Sequence, residues 1–213
     1  MTLMISRRAM VGASLGLAVG SAAFGQQALT VTAEQELGPF FPVIRPLDQD
    51  SDLTRIKGGN GVASGEVIDV FGKVLDRAGR PVARARLDLW QANAVGRYMH
   101  PGDDRADAPL DPNFQGSAVI FADDLGNYRF RTIKPGAYDI GGGRKRTPHI
   151  HVDVMGRAQR LTTQMYFPGE PLNAADILFA KADPKETVLS RAVGPVADKA
   201  TRAFAWDIVL AVS

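Results

Sequence analysis

The chain has 213 residues, 45% hydrophobic and 23% charged, with 25 Lys and Arg against 23 Asp and Glu and a formal net charge of +2. It contains no cysteine, which excludes disulfides, iron–sulfur clusters and thiolate metal sites and limits any metal to His, Tyr or carboxylate ligands. The length suits one domain with a full core, and a near-neutral chain without a basic block gives no reason to expect nucleic acid or an anionic membrane as partner.

Residues 1–25 read as an export signal rather than as part of the fold. The pair Arg7-Arg8 precedes an apolar run from Val11 to Phe24 with small residues at Ser21, Ala22 and Ala23. This is a charged n-region, a short h-region and a cleavage zone of twin-arginine type. The run is short for a membrane span. Its removal takes away Arg7 and Arg8 and leaves the 23 acidic residues balanced by an equal number of basic ones. The expectation is an exported, periplasmic chain with no membrane segment in its mature form.

Residues 26–64 form a Pro- and Gly-containing leader, with a rigid aromatic turn at Gly38-Pro39-Phe40-Phe41-Pro42. Residues 65–213 then read as one mainly β domain, a β-sandwich of six or seven strands. Val67 to Val74 is the first strand, and Asp76 to Pro81 a turn. Ala85, Leu87 and Leu89 alternate with Arg86, Asp88 and Trp90, which predicts a strand with one buried face. Strands follow at Ser117–Phe121, Tyr128–Thr132, His149–Val154 and Leu161–Phe167, and a last one at Ala203–Val212. Only Ala174–Lys181 has a helical pattern. The long loops 92–116 and 136–148 are the expected carriers of function.

His149-Ile150-His151-Val152-Asp153-Val154 alternates polar and apolar residues. On a strand, residues two apart share a face, so both imidazoles aim at one place. Taken alone, the pair fits either a metal site or an ordinary polar strand face. The loops add Tyr98 and Tyr138. A phenol normally ionises at pH ~10, and a bound cation depresses that value. Two phenolates and two neutral imidazoles would suit Fe(III) better than Fe(II) or Zn(II), but two amphipathic tyrosines at a loop edge would look the same.

The runs Leu89-Trp90-Gln91-Ala92-Asn93, Gly96-Arg97-Tyr98, Ala108 to Phe114, Tyr128 to Tyr138, Pro148-His149-Ile150-His151 and Leu161 to Phe167, with the Gly38–Pro42 turn, carry a resemblance over roughly residues 34–170. Together they resemble the intradiol ring-cleavage dioxygenases, most closely the iron-binding β-type chains of the protocatechuate 3,4-dioxygenases. The resemblance implies a non-haem Fe(III) held by Tyr98, Tyr138, His149 and His151, with Tyr138 and His149 axial. It implies a catechol-type small aromatic diol and O2 as substrates, cleaved between the two hydroxyl-bearing carbons to a cis,cis-muconate-type diacid, as in aromatic compound catabolism. Arg146, Tyr138 and Gln164 would be catalytic. Gly38, Pro39, Ile140, Arg146 and Gln164 would line the substrate. The family pattern also leaves room for a homo-oligomer or a pairing with a homologous chain.

Two departures bear on the substrate. Ile140, followed by three glycines, stands where the family commonly has Trp, and Phe41 stands where it has Tyr. A looser cavity that accepts bulkier 4-substituents is therefore expected. Two other readings compete. A cupin or copper/zinc site would need further histidines, and only His100 remains. The hairpin from Gly72 to Val82 also resembles that of transthyretin-like and carboxypeptidase-regulatory modules, which bind partners, carry no iron and lack the tyrosine pair.

Overall fold

The computed structural model describes residues 28–44, 50–194 and 202–212. The expected export signal lies outside them. Among the described residues there are eleven strands: β1 (Val67–Asp76), β2 (Arg86–Trp90), β3 (Ser117–Phe121), β4 (Asn127–Ile133), β5 (Tyr138–Asp139), β6 (Lys145–Arg146), β7 (His149–Met155), β8 (Arg160–Tyr166), β9 (Arg191–Val193), β10 (Arg202–Ala205) and β11 (Ile208–Leu210). One short helix, α1, spans Ile177–Lys181.

Two sheets form a β-sandwich, as the alternation of the sequence predicts. In the first, β1 pairs antiparallel with β4 along one edge and parallel with β10 and β11 along the other, and β9 extends β10. The second runs β3-β2-β7-β8, antiparallel throughout. Ile68, Val70, Phe130, Phe204 and Ile208 of the first sheet belong to one buried cluster with Leu87, Leu89, Ile150, Val152, Val154 and Met165 of the second. Each such side chain taken from water contributes about 1.5–3 kcal/mol before entropy is counted.

The turns follow their acidic residues. Asp76 accepts from the backbone of Ala78 and Arg80, and Asp123 from that of Leu125 and Asn127. Such carboxylates close turns by standing in for backbone acceptors.

Three expectations need correction. The last strand is interrupted: β10 and β11 keep one register against β1 (Ile68↔Arg202, Val74↔Ile208), but Trp206 and Asp207 leave the ladder. The carbonyl of Trp206 accepts from Tyr128 Oη at 2.6 Å, and the Asp207 carboxylate takes the Lys73 N–H at 2.8 Å. Trp206 N–H still donates to the Phe71 carbonyl, and side chains take the other ladder positions at this point. Next, the helical segment divides into a 3₁₀ turn at Pro171–Ala175 and α1, because Asp176 is extended and caps α1. Last, β2 is buried on both faces: Asp88 and Trp90 are as covered as Leu87 and Leu89. The short strands β5, β6 and β9 are too brief to leave a period in the sequence.

The leader explains the buried second face. Leu29 bonds to Arg77 and Thr32 to Val209, on the first hairpin and β11. The chain then crosses to the other sheet, where Gln35 N–H donates to Thr162 O, Thr163 Oγ1 to Ala33 O and Gln164 Nε2 to Glu36 O. It covers the free edge of β8, an edge that would otherwise expose unpaired backbone groups, and brings the Gly38–Pro42 turn over the outer face of the second sheet.

Candidate metal centre and active site

That outer face is the polar one. The register Trp90↔His151↔Gln164 and the neighbouring His149↔Tyr166 pair put Trp90, His149, His151, Gln164 and Tyr166 on it. The two imidazoles converge as the strand alternation predicts: their Nε2 atoms lie 3.2 Å apart. His149 Nδ1 is 2.6 Å from the Thr147 carbonyl and donates to it. This fixes the proton on Nδ1 and leaves the Nε2 lone pair facing the site.

Tyr98 reaches the same point from the loop after β2, with Oη 3.3 Å from His149 Nε2. Asn93 folds this loop by accepting from Val95 and Arg97, and Asp103 anchors Tyr98 N–H at 2.8 Å. Gly96 holds φ +82°, and a Cβ there would stand 2.4 Å from the Ala137 carbonyl. Glycine is what lets the Tyr98 loop touch the segment bearing Tyr138. The two phenol rings meet edge-on, 5.5 Å between centroids. Tyr138 opens the β5–β6 hairpin directly opposite Arg146.

All four groups are nearly inaccessible: Tyr98, His149 and His151 are 2% exposed and Tyr138 is 7% exposed. Burial pushes the Tyr98 phenol well above its ordinary range, with the charge of Tyr138 adding to it. Burial likewise raises Tyr138, against the opposing charges of Arg146 and Arg105. Burial and Arg146 hold His149 well below its usual value; burial, His149 and Arg146 do the same for His151. By themselves these are two neutral phenols and two neutral imidazoles.

The set fits a cation. His149 Nε2 lies 3.3 Å from the Tyr98 phenol oxygen and 3.2 Å from His151 Nε2, about the separation of neighbouring ligands around an ion bound at roughly 2.0–2.1 Å. His151 Nδ1 is buried without a partner, so its ring is held by packing. Trp90 stacks on it at 4.7 Å and 12°. On the leader side, a Cβ on Gly38, at φ +76°, would lie 3.1 Å from His151 Cε1. Phe40 stacks on Tyr98 at 4.7 Å, and Phe41 sits edge-on to Trp90. His100 packs against Phe40 and accepts from Gly102 N–H.

A cavity of about 310 Å³ opens beside Tyr138, lined by Gly38, Pro39, Phe40, Arg105, Ile140 and Arg146 among others. Arg146 points its Nε at Asp176 Oδ2 (2.8 Å) and its Nη2 at Gln164 Oε1 (2.6 Å) and Tyr166 Oη (3.3 Å). Gln164, expected to line the substrate, is fully buried, is not among the residues lining this cavity, and accepts from Arg146, which is. Arg105 lies 4.9 Å over the Tyr138 ring and bonds to Asp103 and the Gly96 carbonyl. A second cavity of about 320 Å³ shares Phe40 with the first and is lined by Tyr98 but by no charged group, so of the two only the first offers a cation to a substrate.

The sequence reading missed Asp176, Thr147, Trp90 and Arg105 as parts of the site. Asp176 before an apolar run carries a helix-start signal, yet nothing local ties it to Arg146.

The dioxygenase family profile matches residues 37–212. The chain is 47% identical over 153 residues to the protocatechuate 3,4-dioxygenase beta chain of Burkholderia cepacia, covering 70% of this chain and 61% of that one. It is 30% identical over 134 residues to a catechol 1,2-dioxygenase of Acinetobacter baylyi, covering 55% and 41%. It thus spans less than two thirds of the length of these curated relatives. Among solved structures, it superposes with a TM-score of 0.65 and 32% identity on the dioxygenase domain of a dioxygenase–carbohydrate-binding fusion from Streptomyces sp. SirexAA-E, over 86% of this chain and 100% of that one. It also superposes with a TM-score of 0.65 on a 3-chlorocatechol 1,2-dioxygenase from Rhodococcus opacus, over 88% of this chain and 74% of that one, a likeness of fold at 23% identity. With a β-sandwich that gathers two tyrosines and two histidines on one sheet face, the chain belongs to the dioxygenase family, among its intradiol ring-cleavage members.

Proposed function

We propose that this chain cleaves a catechol-type aromatic, protocatechuate-like, with O2 between its two hydroxyl-bearing carbons, giving a cis,cis-muconate-type diacid that keeps both oxygen atoms. The observation that carries this is the convergence of Tyr98, Tyr138, His149 and His151 beside a cavity that holds Arg146. These four residues would hold a non-haem Fe(III). When bound, that ion supplies a Lewis acid and an anchor for the two catechol oxygens, drawing electron density from the ring.

The chain's own residues do the rest. Tyr138 lines the cavity and Tyr98 does not, so Tyr138 Oη is the phenolate placed to take a catechol proton. Arg146, held on three sides, is a fixed cation for negative charge that develops on the ring. Gly38, Pro39 and Ile140 form the wall against the ring substituent. With Ile140 in place of a large aromatic, 4-substituents larger than carboxylate should be accepted. A non-enzymatic binding module is not favoured, since it has no use for a buried Tyr/His quartet.

Further parts of the reading rest on sequence alone. Residues 1–25 act as a twin-arginine-type export signal that places the mature chain in the periplasm. The likeness to a beta chain supports assembly with a homologous chain or with itself. Sedimentation of the mature protein and cell fractionation test these two points.

The central test is visual and then chemical. The iron-loaded mature chain should be burgundy to red from phenolate-to-Fe(III) charge transfer. Incubated with a panel of substituted catechols, it should give muconate-type diacids. A colourless protein with one iron per chain overturns the ligand set, and a yellow hydroxymuconic semialdehyde overturns the regiochemistry.

A further inference from the structure

Asp176 carries no signal of function in the sequence, yet it is fully buried and uses both carboxylate oxygens. Oδ2 accepts from Arg146 Nε and from Thr147 N–H, each at 2.8 Å. Oδ1 accepts from Leu178 N–H and Phe179 N–H, each at 2.9 Å. The backbone of Thr147 is therefore held at both ends. Its N–H leans on Asp176, and its carbonyl takes His149 Nδ1–H at 2.6 Å. Asn173 adds a hold on the Thr147 hydroxyl. One carboxylate thus lies behind both halves of the site.

We propose that Asp176 is a positioning residue that sets the guanidinium of Arg146 toward the substrate and, through Thr147, the ring of the metal-binding His149. This rests on the function proposed above and deepens it. The physical ground is twofold. Arg146 is 6% exposed, and a buried guanidinium without a counter-charge is neither fixed nor tolerated. A histidine ligand takes its orientation from the acceptor of its other ring nitrogen, and that acceptor is held in place by Asp176. A mere helix cap would need only Oδ1. The α1 start could be kept by many side chains, so the use of Oδ2 separates the two roles.

The test uses the full iron-loaded chain with D176N, R146L and the double variant. Asn keeps an oxygen for Leu178 and Phe179 but presents an amide that cannot accept from both Arg146 and Thr147. Three quantities are read: kcat and KM for catechol, the visible band with and without 4-nitrocatechol, and the rate of iron loss to a chelator. D176N should lower kcat about 10- to 100-fold, the size of losing a charged hydrogen bond. On the R146L background it should cost almost nothing more in kcat per bound iron, because its effect on the substrate runs through Arg146. Iron loss should be about tenfold faster in D176N and unchanged in R146L. If D176N does not fold, the double variant leaves no buried charge unpaired, and its iron loss is compared with that of R146L. Native kcat and native iron retention in D176N, equal losses of kcat on both backgrounds, or equal iron loss in R146L and the double variant would each overturn the proposal. A wild-type chain that takes up no iron and turns over no catechol sinks the proposed function instead, which the wild-type control shows by itself.

Discussion

At the scale of single residues, the site separates groups that hold a metal from groups that act on the substrate. Arg146 belongs to the second kind: its side-chain hydrogen bonds run to Asp176, Gln164 and Tyr166, and it meets the Tyr/His quartet as the cross-strand neighbour of Tyr138 and through its charge. R146L should keep the colour and iron content of the wild type and lose most turnover, and steady-state kinetics beside iron analysis checks this. Tyr98 and His151 belong to the first kind, so Y98F or H151A should lose iron during purification, which elemental analysis of the isolated protein would reveal. Gly38 shows how little room there is. At φ +76°, with a Cβ only 3.1 Å from His151 Cε1, G38A strains the turn by roughly 1 kcal/mol and presses on a ring that has no hydrogen bond at Nδ1 to resist. Its melting temperature should fall by a few degrees, and its visible band should shift; an unchanged spectrum would mean that Trp90 alone holds His151.

Elements are joined by buried carboxylates as much as by apolar packing. On the outer side of the first sheet, Asp69 of β1 faces Arg131 of β4 across the ladder. It accepts from Arg131 at 3.1 and 2.9 Å, and Arg129 adds a contact at 3.3 Å. Burial would raise the Asp69 carboxyl, but the bonds and charges of Arg131 and Arg129 outweigh it and hold the group below its ordinary value. A carboxyl whose folded-state value is depressed stabilises fully above its unfolded value, about 3.9, and loses that contribution as pH falls through the folded one. D69N should therefore cost about 1–3 kcal/mol at neutral pH, and its gap to the wild type in urea unfolding should close as pH drops from about 5 to below 3. A gap that stays constant with pH would assign the effect to packing. The leader works at the same scale: it ties β11 to β8 and delivers Gly38, Phe40 and Phe41 to the site, so a segment without regular structure forms one wall of the metal centre.

For the whole molecule, the metal centre is a tie between distant parts of the chain. Tyr98, Tyr138 and the His149/His151 strand come from three separate segments, and an ion bound to all of them binds the folded state only. With free iron at about 100 times its dissociation constant, that stabilises by about 2.7 kcal/mol. For a chain of this size, chelator-stripped protein should then melt about 5–10 °C lower than the loaded form. Calorimetry on the two forms checks this, and equal melting temperatures would show that the four residues hold no ion in common.

Much of this is legible in the sequence because the signals are local. Strand alternation is set by neighbours two residues apart, so the shared face of His149 and His151, the core-facing residues of β1, β2 and β7, and the turns at Asp76 and Asp123 follow from the order of residues alone. The absence of cysteine and the runs around Tyr98, Tyr138 and Arg146 point to a metal centre built from phenols and imidazoles. What the sequence does not hold are relations across long stretches of chain. Asp176 lies 30 residues from the arginine it holds, Trp90 far along the chain from the imidazole it supports, and the leader more than 100 residues from the strand edge it covers. These pairings are chosen by how two sheets pack and by which buried polar group finds which partner, and only the folded chain decides them. Gln164 makes the point: its place in a strand puts it on the site's face, but only the tertiary structure shows its Oε1 accepting from Arg146.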